Sequence, residues 1–99
     1  MNEFKSIMQD PDDFSCYVCG CVRNLEEHHA MHGTANRKLA ELYGLKVRLC
    51  ADHHRGGIGV HSDIILDERI KKAAQRAFEA KYGHALWMKT FRKNYLERK

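Results

Sequence analysis

Cys50-Ala51-Asp52-His53-His54, set beside Cys16-Tyr17-Val18-Cys19, decides how this 99-residue chain folds. Cys50 and His53 leave two residues between them, as do Cys16 and Cys19. Two close pairs of soft or borderline donors are what a closed tetrahedral structural site for Zn²⁺ requires. The spacing predicts Cys16, Cys19, Cys50 and His53 as its four ligands. Cys21 is a spare thiol with the same reach and could replace Cys19. His54 adjoins the second half-site, so closing the zinc site also places its imidazole. His28, His29 and His61 are left for a different task.

Outward from that stretch, Leu45-Lys46-Val47-Arg48-Leu49-Cys50 alternates apolar and basic residues, the mark of a half-buried strand. Leu25 to Met31 is the matching extended segment, and the two should form an antiparallel ribbon whose ends one zinc ion pins. Side chains alternate along a strand, so the adjacent His28 and His29 point to opposite sides and take separate roles. His32-Gly33-Thr34-Ala35 breaks the strand. Leu39, Leu42 and Tyr43 then recur at helical spacing, Asn36 stands at the N-cap position, and Gly44 stops the helix. Asp52 can start a short turn carrying His53 and His54. Arg55-Gly56-Gly57-Ile58-Gly59 reads as a hinge or turn leading to His61.

From about Leu66 the chain is helical, with Ile70, Ala73, Ala74, Ala77, Phe78 and Tyr82 on one stripe and Gly83 at its end. A second helix is expected from Ala85 to Leu96, with Leu86, Trp87, Phe91 and Tyr95 as packing residues. His84 follows the glycine and reads as structural. Residues 1–15 form a lead-in without chemistry, in which Asp10-Pro11-Asp12-Asp13 signals a turn or a helix start. Residues 16–99 then make a single domain, divided at 61 into a metal-bearing core and a basic helical extension (62–99).

The net charge of +4 is unevenly spread. Glu68 to Lys99 holds ten Lys or Arg against three Glu, whereas residues 1–67 hold seven against ten Asp or Glu. A basic C-terminal third suits a polyanion, nucleic acid first, although a solvated helix face has the same composition. No stretch has the length of a membrane-spanning helix, and Met1-Asn2-Glu3-Phe4-Lys5 lacks the basic and apolar regions of an export signal. The expectation is a cytoplasmic protein with reduced thiols, in which cysteines among histidines favour zinc over disulfides.

Glu27-His28-His29, Asn36 and Leu49-Cys50-Ala51-Asp52-His53-His54 together resemble the HNH endonuclease family over roughly residues 16–61. Gly33-Thr34-Ala35-Asn36-Arg37-Lys38, Tyr43-Gly44-Leu45-Lys46-Val47 and Gly59-Val60-His61 are similar to small phage and prophage members, including the RecA-dependent nucleases of recombination. The resemblance implies an α+β fold: a zinc-pinned ββα-metal (His-Me finger) core followed by two C-terminal helices. It implies a catalytic divalent ion, Mg²⁺ or Mn²⁺, on His28 and His54, with His61 as third ligand. His32 could take the place of His61, but an exposed loop histidine is the preferred reading. His29 resembles the general base, and Asn36 the middle residue of the motif that ties down the hairpin loop; a simple N-cap is its other reading. Because the second half-site is Cys-x-x-His, His53 and His54 could exchange roles.

Phosphodiester hydrolysis explains these residue types. A divalent ion with few protein ligands keeps open positions for phosphate and leaving oxygens. An imidazole that titrates near pH ~6.5 accepts the proton of water, provided it stays off the metal. Arg37, Lys38 and Arg55 are near enough in sequence to contact DNA phosphates. A domain this small invites a homodimer or a recruiting phage or recombination protein as partner. The rival readings are a catalytically silent zinc module that binds DNA or protein, and a wholly structural adaptor.

Overall fold

The alternating stretches do become strands. In the computed structural model, which describes residues 4–56 and 59–96, β1 (Leu25–His29) and β2 (Lys46–Cys50) pair antiparallel. Leu25 stands opposite Cys50, and His29 opposite Lys46. β1 is two residues shorter than the expected Leu25–Met31, yet Ala30 still donates to the Leu45 carbonyl at 2.9 Å before the chain turns away. Among the described residues, four helices complete a small α+β fold: α1 (Thr34–Tyr43), α2 (Ala51–His54), α3 (Ile64–Tyr82) and α4 (His84–Phe91).

β2 departs from the half-buried expectation, because all five of its residues are buried. The lead-in is the reason. Ser6 donates to the Lys46 carbonyl at 2.6 Å, Gln9 accepts the Arg48 N–H at 2.8 Å, and the Tyr17 N–H donates to the Arg48 carbonyl at 2.7 Å. These contacts satisfy the edge of β2 that no third strand among the described residues covers. The Arg48 guanidinium lies 3.8 Å from the Phe4 ring centre and 4.4 Å from that of Phe14, and it donates to the carbonyls of Pro11 and Asp13. Asp10–Asp13 is a turn rather than a helix start, closed by the Asp13 N–H on the Asp10 carbonyl.

α1 begins three residues before the start that an N-cap at Asn36 would give. Gly33 is its N-cap, so Asn36 lies inside the first turn and is not the cap. Gly44 ends α1 at φ +75, and a Cβ there would meet the Ile7 nitrogen and the Lys5 carbonyl oxygen at 3.2 Å. Only glycine suits both the left-handed backbone and that close approach.

α3 starts at Ile64, where Asp63 accepts the N–H groups of Ile65 and Leu66. Ile70, Ala74 and Phe78 face the core, as their spacing requires, whereas Tyr82 is 39% exposed at the edge of the stripe, its ring centre 4.9 Å from that of Phe78. Gly83 turns the chain into α4, whose Trp87 is fully buried with ring centres 5.4 Å from Phe78 and 4.4 Å from Phe91. The expected helix to Leu96 stops instead at Phe91. Arg92 takes a left-handed conformation and the chain doubles back, so that Gln75 accepts the Tyr95 N–H and donates to Asn94. Trp87 anchors this return through its indole N–H on the Lys93 carbonyl at 2.7 Å. Trp87→Ala is expected to cost about 3–5 kcal/mol, read from urea unfolding. Among the described residues, no helix is long and apolar enough to cross a membrane.

Candidate metal-binding sites

The Cys16–Cys21 knuckle is a tight reversal in which the Cys16 N–H donates to the Cys21 carbonyl and Gly20 adopts φ +79. It sets Cys16 and Cys19 against the end of β2, where Cys50 ends the strand and α2 carries His53. Ligand atoms of Cys16, Cys19, Cys50 and His53 all lie within 4.8 Å of one another. Cys19 Sγ is 3.8 Å from Cys50 Sγ, and His53 Nδ1 is 3.3 Å from Cys50 Sγ and 4.0 Å from Cys16 Sγ. Two thiolates on one tetrahedral zinc stand about 3.8 Å apart, so the donor set could hold such an ion. Cys21 is outside the group, exposed, with its sulfur turned to the Arg23 backbone.

The thiols are unequal. Burial raises Cys16, but backbone N–H groups of Cys50, Cys19 and Val18 outweigh it and hold the thiol below its usual value. The Cys21 N–H lowers Cys19, yet desolvation and the sulfurs of Cys16 and Cys50 leave it raised. Thiolates crowding one another in this way want a shared cation.

His54 lies on the other side of α2 and belongs to a different group. Gly56 and Gly59 both lie close against α2: a Cβ at Gly56 would lie 2.7 Å, and one at Gly59 2.9 Å, from the Asp52 carbonyl oxygen. Gly57 and Ile58 lie outside the described residues. Val60 then donates to the His53 carbonyl, which sets His61 beside His54 with ring centres 5.0 Å apart. His28 reaches the same point from β1, 5.2 Å from His54 and 5.8 Å from His61. Ligand atoms of His28, His54 and His61 lie within 4.8 Å of one another.

His28 is only 3% exposed, and its Nε2 is buried without a hydrogen-bond partner. Burial, then the neighbouring imidazoles of His54, His32 and His61, push its pKa down to about 3. The ring is therefore neutral at ordinary pH and keeps a lone pair with no partner, the state a metal ligand needs.

No family model, curated protein or solved structure matches this chain.

His29 leaves β1 on the opposite side, and its Nε2 is 2.8 Å from Glu41 Oε1 on α1. Glu41 in turn takes the Lys46 ammonium at 3.1 Å, and Lys46 is 2% exposed. The His29 bond first, then Lys46, holds the Glu41 carboxyl below the usual range. His29 and Arg37 line a cavity of about 260 Å³ together with Glu27, His28, His32, His54 and His61. Lys38 lies one groove away, with His29, Thr34, Arg37 and Glu41. Asn36, on the first turn of α1, borders neither hollow. Arg55 is already engaged, donating through both Nε and a terminal nitrogen to Glu26. On α3, Arg69, Lys72 and Arg76 share an exposed face with Ile64 and Ile65, turned away from the core.

Three acidic residues escaped the sequence reading. Glu26 Oε1 lies 2.6 Å from His54 Nδ1, and that contact, followed by Arg55, depresses its pKa. Strand alternation could have found it, since Glu26 and His28 share a face of β1. Holding Nδ1–H on a carboxylate leaves the other ring nitrogen of His54 for a ligand. Glu26→Gln is expected to weaken a metal on the histidine group about tenfold or more while sparing the cysteine site; competition titration with a chromophoric chelator separates the two. The others are Glu41 and Asp67, whose Oδ1 lies 2.7 Å from His32 Nε2. Asp67 sits three residues before buried Ile70, on the core-facing side of α3, an acidic residue on an apolar stripe.

Proposed function

We propose that the protein is a metal-dependent DNA endonuclease of the HNH type, with structural zinc on Cys16, Cys19, Cys50 and His53 and a catalytic divalent ion on His28, His54 and His61. The observation that carries this reading is the convergence of those three imidazoles, one with an unpartnered buried nitrogen, beside a fourth that another element holds apart. The succession of β1, β2 and α2, with α1 inserted between the strands, His28 on the first strand and His54 on the helix, supports a ββα-metal core.

The ion, when bound, supplies positive charge to the scissile phosphate and the leaving oxygen. The remaining work falls to the chain. With Nε2–H donating to Glu41, His29 keeps Nδ1 free to accept a proton, and no hydrogen bond among the described residues engages that atom. A water loses its proton to Nδ1, its oxygen bonds to phosphorus, and the bond from phosphorus to the 3′-oxygen breaks, that oxygen leaving with a proton from solvent. Arg37 at the cavity rim and Lys38 beside it suit flanking phosphates.

Conversion of supercoiled plasmid to nicked or linear DNA tests the reading, with and without added Mg²⁺ or Mn²⁺. Wild type should cut only with the ion, and His28→Ala should not cut at all. Absence of cutting while DNA still binds would replace this reading with a catalytically silent zinc-stabilised binding module.

A further inference from the structure

His28 belongs to two groups of candidate ligands. One is the triad with His54 and His61; in the other, ligand atoms of His28, His32 and Asp67 also lie within 4.8 Å of one another. Two elements supply the new members: His32 follows β1 and Asp67 projects from the first turn of α3. The ring centre of His32 is 5.5 Å from that of His28 and 6.1 Å from that of His61, so the histidines of both groups line the same cavity. Burial raises Asp67, but His32 and Lys71 outweigh it and keep the carboxyl ionised. Lys71 Nζ, 2.9 Å away, takes the second carboxylate oxygen, Oδ2, so Oδ1 is the one turned to the histidines.

We propose that His28, His32 and Asp67 form a second cation seat, alternative to the three-histidine seat and filled in its place. The exclusion follows from His28. A neutral imidazole has one lone pair, and one lone pair cannot serve two ions at once. The seats also differ in kind. Three imidazoles suit Zn²⁺, whereas a site with a carboxylate and room for water suits harder ions such as Mn²⁺ or Mg²⁺. The cavity therefore holds one ion at a time, and which residues bind it depends on which ion arrives. This revises one part of the proposed nuclease site, since added Mn²⁺ or Mg²⁺ would sit on His28, His32 and Asp67 and Zn²⁺ on the three histidines, and it rests on that reading only in taking His28 as a ligand.

The test is a metal titration without DNA. Protein carrying one zinc per chain, on the cysteine group, is titrated with Mn²⁺ and followed by the loss of the free-ion electron paramagnetic resonance signal. Zn²⁺ is then added. The expected result is one Mn²⁺ bound per chain, displaced one for one by Zn²⁺, with never more than two ions in all. Asp67→Asn and His32→Ala should each weaken Mn²⁺ about tenfold or more and leave the second zinc nearly unchanged, whereas His61→Ala should do the reverse. Circular dichroism and the retained first zinc certify the fold of each variant. Mn²⁺ and the second Zn²⁺ bound together would overturn the proposal. So would unaltered Mn²⁺ binding in both Asp67→Asn and His32→Ala, or no Mn²⁺ bound by wild type. A protein that exchanges the ions this way but never cuts DNA keeps the seat and loses the nuclease. One that cuts while Asp67→Asn binds Mn²⁺ like wild type keeps the nuclease and loses the seat.

Discussion

Removing the ion from Cys16, Cys19, Cys50 and His53 is expected to unfold the ribbon, not merely loosen it. The group joins three pieces of chain: the knuckle, the end of β2 and the single turn of α2, in which no residue is buried. A structural zinc in such a site contributes on the order of 10–16 kcal/mol, against a total stability of about 5–15 kcal/mol for an ordinary domain. Without a cation the sulfurs of Cys16 and Cys50 raise the pKa of Cys19. Cys50→Ser should therefore give a chain with little dispersion in its proton NMR spectrum, and a strong chelator should do the same to wild type. Cys21→Ser, outside the group, should retain both zinc and dispersion. A metal-free protein with the melting temperature and spectrum of the loaded form would remove the structural role.

The two half-sites were legible because a metal ligand pair is a local pattern, and the fold need only bring two such patterns together. The strands, the helix stops at Gly44 and Gly83 and the return of His61 toward His54 follow equally local rules. What escaped depends on contacts distant in sequence. Phe4, Ser6 and Gln9 have no period that marks them as the cover of β2; they act through its backbone and through Arg48, about forty residues on. Strand alternation alone therefore predicted a solvated face for Lys46 and Arg48. The overlong final helix has a similar cause. Residues 93–96 suit a helix well enough, but the side chains of Gln75 and Trp87 bond them in another shape. Asn36 shows the converse: a good N-cap residue is passed over because Gly33, at φ +93, already turns the chain into α1.

The carboxylates around the histidines were partly readable, and they bear on the second large effect. Replacing His29 with alanine is expected to slow metal-dependent nicking by about 10²–10⁴-fold, the usual worth of a positioned general base. Glu41 aims the ring, and buried Lys46, which also reaches Glu27 at 3.3 Å, holds Glu41 in place. The anchor is firm because an ammonium at 2% exposure depends on these two carboxylates for its compensating charge. Glu41→Gln keeps an acceptor for His29 and leaves Lys46 with Glu27, so its loss should be smaller than that of His29→Ala. Metal binding separates the base from the ligand beside it: His28→Ala should lose the second ion, whereas His29→Ala should bind it as wild type does and still fail to cut. Cutting at the wild-type rate by a folded, fully loaded His29→Ala protein would move the proton to another acceptor. The cavity then leaves His32 as the nearest imidazole outside the three-histidine group, and its bond to Asp67 would make that carboxylate the residue to change next.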